Sequence, residues 1–570
     1  MGVDTRFSDD IPAVLQRVYA ARGVSSDQEL DYQLKHLLPP ESMAGLDAAT
    51  ERLLAALALE ERVLIVGDFD ADGATSCAIG VRGLLAMGFP NVDFLVPNRF
   101  EYGYGLTPEI VDVAMQQAPD LIVTVDNGIA AVEGVAHANA LGIDVVVTDH
   151  HLPGDVVPEA VAIVNPNQTG CEFSSKSIAG VGVMFYLLMA LRRALIQEQW
   201  FEQHGEQAPN LANLLDLVAL GTVADVVSLD FNNRILVEQG LRRIRAGRAC
   251  AGVLALLECA NRDHKNLSSG DLGFVLGPRL NAAGRMEDMS IGIRCLLTDD
   301  VEEAKALAHD LDTLNRERRR VETGMKSEAE NMLAAVNTEA GNSERCSICL
   351  FEPTWHQGVI GIVASRIKDQ YHRPTIAFAR SDEGQLKGSA RSITGLNIRD
   401  VIDEVSRKEP QLIGQFGGHA MAAGLNLPEA NFARFAALLE EVVEKHCNAE
   451  MLQATSYSDG ELRAEELSLD IAQQLRFAGP WGQSYPEPVF DGEFALIKQR
   501  LVGEKHLKLV LAPKQQPELL LDGIAFNVDL KQWPDETVNT VSALYKLDVN
   551  EYRGQQSAQL IVIALAPALR

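Results

Sequence analysis

The 570 residues are too many for one hydrophobic core and predict about three or four domains. With 47% hydrophobic and 23% charged residues the chain has the composition of a folded soluble protein, which excludes a disordered or fibrous one. The densest apolar run, residues 181–191, is too short for a membrane span. A formal net charge of −29 excludes a general basic coat for duplex DNA, but not a local basic groove or a metal centre that holds phosphates.

The opening MGVDTRFSDD lacks the basic and apolar regions of a secretory signal. The 8 cysteines, at 77, 171, 250, 259, 295, 346, 349 and 447, are scattered. Both features predict a cytoplasmic protein without a disulfide framework. Cys346 and Cys349 form a C-x-x-C without a second pair and read as buried cysteines.

In chain order, residues 1–50 hold a helix-like segment at 11–21 and a break at Leu37-Leu38-Pro39-Pro40, and read as a cap. A helical pattern at 46–59 leads into alternating strands and helices. Strands are expected at 63–66, 92–96, 121–125, 145–148 and 162–164, with a helix at 75–87 and a helix start at Thr107-Pro108. Such alternation gives a mostly parallel sheet covered by helices. Residues 175–260 read as mostly helical and pass through 211–220 into Gly221-Thr222-Val223-Ala224-Asp225. A polar helical pattern at 301–336 would span roughly 50 Å and suits a connection between two lobes.

A second α/β unit is expected from 341 to 453, with strands at 347–351 and 375–379 around a helix that starts near Gly358. Residues 388–391 lead to another helix, Gln415-Phe416-Gly417-Gly418-His419 forms a polar loop, and a helix at 430–447 closes the unit. Beyond a linker, strands at 490–499, 507–512, 520–526, 538–548 and 560–564 suggest an OB-type barrel, although a sandwich has the same periodicity.

Three of the predicted buried strands end in acids. The first runs into Gly67-Asp68-Phe69-Asp70-Ala71-Asp72-Gly73, another into Asp126-Asn127-Gly128, and a third into Asp149-His150-His151. Ligands gather beyond the carboxyl ends of parallel strands, and acids crowded there repel one another unless cations lie between them. A calcium loop is the competing reading of the first segment. Gly73 suits it, but Ile79 stands where that loop needs glutamate. Asp-Asn-Gly alone is a common turn, and Asp225 alone could be a helix cap or a surface acid. Adjacent imidazoles point different ways, so one can ligate metal while the other faces substrate. Together these residues suit two divalent cations roughly 3.5–4 Å apart, the arrangement of phosphoester hydrolysis. Carboxylates with imidazole favour Mn²⁺ or Mg²⁺.

Electropositive and backbone donors come later. They are Trp355-His356-Gln357-Gly358, Arg373, Ser389 and Arg391 on a polar loop, and Gly417-Gly418-His419, all suited to cradling phosphate. Arg279, Asn281, Gly284 and Arg285 read as a compact polar loop that clamps a neighbouring phosphate, and Arg316, Arg318, Arg319 and Arg320 read equally as a solvated face.

The ordered segments Asp70-x-Asp72-Gly, Asp126-Asn127-Gly, Asp149-His150-His151 and Ala224-Asp225, with Gly417-Gly418-His419, resemble those of the DHH phosphoesterase family over nearly the whole chain. The resemblance implies a cap (1–50), a DHH-like catalytic domain with a helical portion (51–300), a connector helix (301–340), a DHH-associated substrate-binding domain (341–453) and an OB-like nucleic-acid-binding domain (454–570). It implies two Mn²⁺ or Mg²⁺ ions on Asp70, Asp72, Asp126, His150 and Asp225, with Asp126 bridging, Asp149 orienting an imidazole and His151 near the scissile phosphate. Smaller family members carry a histidine upstream of the first acids. Here Val66-Gly67-Asp68 has none, and Asp68 is expected in its place. His419, Arg391 and the surroundings of His356 would hold the terminal nucleotide.

The domain set is similar to that of the family's exonucleases of DNA recombination and repair, which implies release of 5′-mononucleotides from single-stranded DNA in the 5′-to-3′ direction. Implied partners are single-stranded DNA, a single-stranded-DNA-binding protein and a repair helicase, with no membrane and a monomeric chain. Trp481, Tyr485, Phe490 and Tyr552 are candidate base-stacking residues, Phe490 being equally a core residue, and Lys505, Lys508 and Arg553 add local positive charge. A hydrolase of small nucleotides or dinucleotides, and a non-catalytic nucleic-acid-binding protein, are the alternatives. The barrel could also be a protein-docking module.

Overall fold

The computed structural model describes residues 7–98, 102, 105–339, 345–381 and 384–568. The chain forms two compact units, one of Met1–Gly284, Asp288–Leu311 and Tyr457–Arg570, the other of Arg285–Glu287 and Asp312–Ser456. The helix Val301–Glu339 carries the chain from one into the other.

The first unit holds a sheet of β1 (Val63–Gly67), β2 (Val92–Leu95), β3 (Leu121–Val125), β4 (Asp144–Thr148) and β5 (Ala162–Val164) in the order β2-β1-β3-β4-β5, all parallel. β1 and β3 are buried along their whole length, as expected of apolar runs covered on both faces. Leu64, Val66, Ile122, Val145 and Val147 pack with residues of the helices Pro108–Ala114 and Val132–Ala140. The helix Ala71–Ala86 packs against the helices Gly180–Gln197 and Leu215–Ala224. It begins four residues before the expected start at 75, because the Asp70 carboxylate accepts from the Asp72 and Gly73 N–H groups at 2.9 and 3.1 Å and so caps an earlier first turn. The apolar run near 181–191 continues as the helix Gly180–Gln197. Its length and composition would allow a membrane crossing, yet 67% of it is buried inside the unit.

In the second unit β6 (Ile348–Phe351), β7 (Thr375–Arg380), β8 (Gln385–Arg391), β9 (Phe416–Gly418) and β10 (Ala422–Pro428) form a sheet in the order β6-β7-β8-β10-β9. β6 and β7 are parallel and the remaining pairs antiparallel. The helices Ile398–Lys408 and Phe432–His446 bury Val401, Val405, Leu439 and Val443 with Phe378 and Leu425 of the sheet. The expected loops at 388–391 and 415–419 are largely strand. Alternate burial of Leu386, Gly388 and Ala390 puts Lys387, Ser389 and Arg391 on the other face of β8, and Gly417 and Gly418 lie on the edge strand β9. On Val301–Glu339 the four arginines do not share a solvated face. Arg318 is buried and donates to Asn315 and Glu322, and Arg316 pairs with Asp312.

The first unit also contains β11 (Phe490–Val502), β12 (His506–Pro513), β13 (Leu521–Ala525), β14 (Thr540–Tyr552) and β15 (Gln555–Pro567), closed as β11-β12-β13-β15-β14. β13 and β15 are parallel and the other pairs antiparallel. Closure decides between the two architectures in favour of a barrel, which leaves no open sheet edge. Arg22 ties the amino-terminal helix Ala13–Ala21 to the approach to the barrel through Asp459 at 2.7 Å and the Pro486 carbonyl at 2.7 Å.

Candidate metal centre

The carboxyl ends of β1, β3 and β4 lie side by side, so the polar residues after them converge. Asn127 binds two of the ends together by donating its side-chain amide to the Val66 carbonyl at 3.1 Å and the Val125 carbonyl at 2.9 Å. Asp126, just before it, has a φ of +59°, a left-handed conformation that aspartate tolerates better than most residues. Its backbone N–H donates to the Thr148 carbonyl at 3.0 Å, which links β3 to β4.

After β1, Asp68 and Asp72 are buried. Asp72 sits at the amino end of the helix Gly180–Gln197 and accepts from the Gly180 and Val181 N–H groups at 2.7 and 2.9 Å. A Cβ on Gly180 would stand 2.7 Å from the Asp126 Cβ, so glycine allows this helix end to approach the acids. On another side, Asn281 accepts from the Ala71 N–H at 2.7 Å. A Cβ on Gly284 would meet the Phe69 carbonyl oxygen at 1.8 Å. The helix Gly277–Met286 thus clamps the loop that carries Asp68 and Asp70.

His150 Nε2 lies 3.1 Å from Asp126 Oδ1, 3.5 Å from Asp225 Oδ2 and 4.0 Å from Asp72 Oδ2. Among the described residues, three groups have ligand atoms within 4.8 Å of one another: Asp68, Asp70 and Asp126; Asp72, His150 and Asp225; and Asp126, His150 and His151. Asp126 and His150 each belong to two groups. Asp225 occupies the carboxyl-terminal cap of the helix Leu215–Ala224, not an amino-terminal cap. That position places a carboxylate at the negative end of the helix dipole, an unfavourable arrangement without a cation.

The electrostatics lead to the same conclusion. Burial, then the charge of Asp70, push the Asp72 carboxyl up to about 7 despite its two backbone donors. Burial and the charges of Asp72 and Asp70 raise Asp126 and Asp225 well above the ordinary carboxylate range. Buried acids that destabilise one another in this way, beside an imidazole, fit hard divalent cations, which would remove the repulsion.

Asp149 plays another part. One of its oxygens accepts from the backbone N–H groups of His150 and His151 at 2.7 and 3.1 Å and contacts His151 Nδ1 at 2.7 Å, while the other accepts from the Ile129 N–H at 2.9 Å. Burial disfavours charge on His151, but the hydrogen bond and charge of Asp149 prevail and raise its pKa. Burial likewise disfavours charge on Asp149, and its hydrogen bonds hold its pKa low. The Asp149–His151 contact orients the ring, as carboxylates do for histidines in metal sites.

Several sequence expectations are corrected by burial. Arg279, Asn281 and Arg285 belong to a helix rather than a loop. Arg279 is buried and donates to the Val275 carbonyl at 2.7 Å, and Arg285 donates to the Gly358 carbonyl at 3.3 Å. Arg373 directs its guanidinium at the carbonyls of Arg345, His372 and Leu452, at 2.8, 3.0 and 2.8 Å, and is a structural tie. Trp481 and Tyr485 are buried and stack on each other at 5.2 Å, with Arg234 over Tyr485 at 4.4 Å. Neither offers a face to a base, and Phe490 is buried beside Tyr545. Tyr552 is exposed, with Arg553 over its ring at 5.2 Å. In the second unit, His356 Nδ1 accepts from the Gly358 N–H at 3.1 Å, Arg391 donates to Ser389 Oγ at 3.1 Å, and Gly417, Gly418 and His419 are exposed. The backbone donors at Gly180 and Val181 were not anticipated. The run Ala179-Gly180-Val181-Gly182, small residues opening an apolar helix, is the signal for them.

The family profile described as "DHH family, N-terminal domain" matches residues 62–222, "DHHA1 domain" matches 345–445 and "RecJ OB domain" matches 458–564. The chain is 54% identical over 562 residues to the single-stranded-DNA-specific exonuclease RecJ of Salmonella typhimurium, covering 98% of this chain and 96% of that one. The Escherichia coli protein of the same name is 53% identical over 562 residues with the same coverage. The crystal structure of RecJ from Thermus thermophilus in complex with Mn²⁺ superimposes with a TM-score of 0.79 at 30% identity, covering 98% of this chain and 77% of that one. The chain belongs to the DHH family and is closely related to the bacterial RecJ exonucleases.

Proposed function

We propose that the protein is a single-stranded-DNA exonuclease that hydrolyses phosphodiester bonds at the centre built from Asp68, Asp70, Asp72, Asp126, His150 and Asp225. One observation carries the reading. In a chain 54% identical to an enzyme named for this activity, five carboxylates and His150 meet within ligand reach, with Asp126 and His150 each shared between groups. Two bound Mn²⁺ or Mg²⁺ ions would supply the field that activates water and stabilises the attacking and leaving oxygens.

The chain's own residues then have distinct tasks. Asp126 and His150 link the three groups of ligands, each belonging to two of them. Gly180 and Val181 fix the Asp72 carboxylate through two N–H donors. Asp149 holds His151 at Nδ1, which leaves Nε2 to donate to a phosphoryl oxygen when the ring is protonated. In the second unit, His356, Ser389, Arg391, Gly417, Gly418 and His419 are the phosphate-contacting residues of this reading. On the barrel, Tyr552, Arg553, Lys505 and Lys508 contact the strand, with Tyr552 as the exposed stacking face.

The same reading assigns 5′-to-3′ polarity, 5′-mononucleotide products, a monomeric cytoplasmic chain, and a single-stranded-DNA-binding protein and a repair helicase as partners. Single-stranded DNA labelled at either end, incubated with Mn²⁺ or with chelator, tests it. Mononucleotide release from the 5′ end that needs metal is expected. Intact polymer beside rapid cleavage of dinucleotides would replace it with small-substrate hydrolysis.

A further inference from the structure

The turn Leu272–Leu276 is π-helical, a geometry that recurs beside functional sites. Leu272 and Leu276 are buried, whereas Phe274 between them is 82% exposed. The glycines near it locate the turn. A Cβ on Gly273 would lie 3.2 Å from Val223 Cγ1, and one on Gly277 would lie 3.2 Å from the Ala224 Cβ. Phe274 is therefore carried by a turn packed on the last two residues before Asp225.

Val226, directly after Asp225, has a φ of +63° and is 63% exposed. A β-branched residue avoids the left-handed region, so the surrounding chain imposes it. The Val226 N–H donates to the Val223 carbonyl at 3.2 Å, and the Leu229 N–H donates to the Gln483 carbonyl at 2.8 Å. The same stretch is anchored toward the barrel, since Ser269 Oγ accepts from the Trp481 N–H at 3.0 Å and donates to the Trp481 carbonyl at 2.6 Å. Two large apolar side chains thus stand in solvent: Val226 directly after a metal-centre acid, and Phe274 on a turn packed against the two residues before that acid.

Charge argues for what covers them. The chain carries −29, and the centre to which Asp225 belongs is built mainly of carboxylates, so a polyanionic strand gains no Coulomb attraction there apart from the cations. Stacking on an aromatic face is indifferent to that field and to base identity. We propose that Phe274, with Val226 beside Asp225, is a stacking platform for a nucleobase of the single-stranded substrate close to the scissile phosphate. This rests on the DNA-hydrolysing function proposed above. A base inside a duplex has both faces covered by its neighbours, so the platform favours single strands.

The test compares wild type, Phe274→Ala and Phe274→Trp on an intact oligonucleotide and on oligonucleotides with one abasic site at successive positions. Loss of one stacked base, about 1–3 kcal/mol at 1.4 kcal/mol per tenfold, corresponds to about a 5- to 150-fold rise in KM for Phe274→Ala. The expected pattern is that kcat moves less than KM, Phe274→Trp restores KM, and the melting temperature stays unchanged because the ring is exposed. For wild type one abasic position should reproduce the defect, with no further loss in Phe274→Ala at that position. A wild-type KM in Phe274→Ala, or a loss that adds in full at every abasic position, overturns the platform. Wild type that leaves single strands intact overturns the function reading instead. Fluorescence-anisotropy binding of the same oligonucleotides then decides Phe274 separately, with wild-type affinity in Phe274→Ala as the refuting result.

Discussion

Stripping the metal should make the first unit less stable as pH rises from 5 to 8. Asp72 has a folded-state pKa of about 7 against an ordinary 3.8. The folded state therefore binds more protons than the unfolded chain between those values, and stability falls as pH rises through them. From pH 5 up to that folded-state pKa the displacement covers about 2 pH units, and at 1.36 kcal/mol each this amounts to about 3 kcal/mol, or roughly 4–8 °C in melting temperature for a large domain. Asp126 and Asp225 are raised for the same reasons and act in the same direction. His151, also raised, loses its stabilising charge as pH passes its folded pKa and adds to the fall. Asp149 is lowered, so its contribution is already complete at pH 5. Thermal unfolding followed by tryptophan fluorescence suits the measurement, since Trp200, Trp481 and Trp533 lie in the first unit. The melting temperature in chelator should drop across this range, and Mn²⁺ should reverse the drop at pH 8. Asp126→Asn, which suits the φ of +59° and removes one charge, should flatten the slope. A melting temperature in chelator that is level or rises between pH 5 and 8 would refute the reasoning.

Asp149→Asn should lower kcat about 10²–10⁴-fold and displace the His151 limb of the pH–rate profile downward, because the carboxylate that raises the ring's pKa is gone; an unchanged profile would remove Asp149 from this role. Gly284→Ala forces a methyl into the Phe69 carbonyl and should cost about 1–3 kcal/mol while weakening Mn²⁺ affinity, both readable by calorimetry. Trp481→Ala should destabilise the protein by about 3–5 kcal/mol in thermal unfolding, with KM for DNA nearly unchanged below the transition. A large KM effect with intact stability would restore Trp481 as a stacking residue.

The parts of the fold that could be read from residues are those in which local pattern and burial agree. The runs at β1, β3 and β4 are mainly apolar because both sheet faces are covered, and the acids directly after each mark the ligand edge. The five barrel strands were legible from alternation, but choosing a barrel over a sandwich needed pairing across the chain, such as β13 beside β15. What misled was exposure. Trp481 and Tyr485 have the composition of a base-stacking pair, yet Tyr19, Arg22 and Arg234, hundreds of residues away, cover them. Glycine and polar residues made Gly277–Met286 resemble a loop, although Gly284 is small because the Phe69 backbone passes against it. Arg373 carries the charge of a phosphate ligand but satisfies backbone carbonyls instead. Asp70 was visible as an acid, but its cap on the helix Ala71–Ala86 depends on a backbone turn that side-chain periodicity does not report.

The most direct test of the central claim is the Mn²⁺ stoichiometry of metal-stripped protein by isothermal titration, with nuclease activity followed at each addition. The account predicts two ions per chain, activity that appears as the second binds, and loss of both the full stoichiometry and the activity in Asp126→Ala. Wild-type stoichiometry and activity in Asp126→Ala, or cleavage of single strands by fully chelated protein, would contradict it.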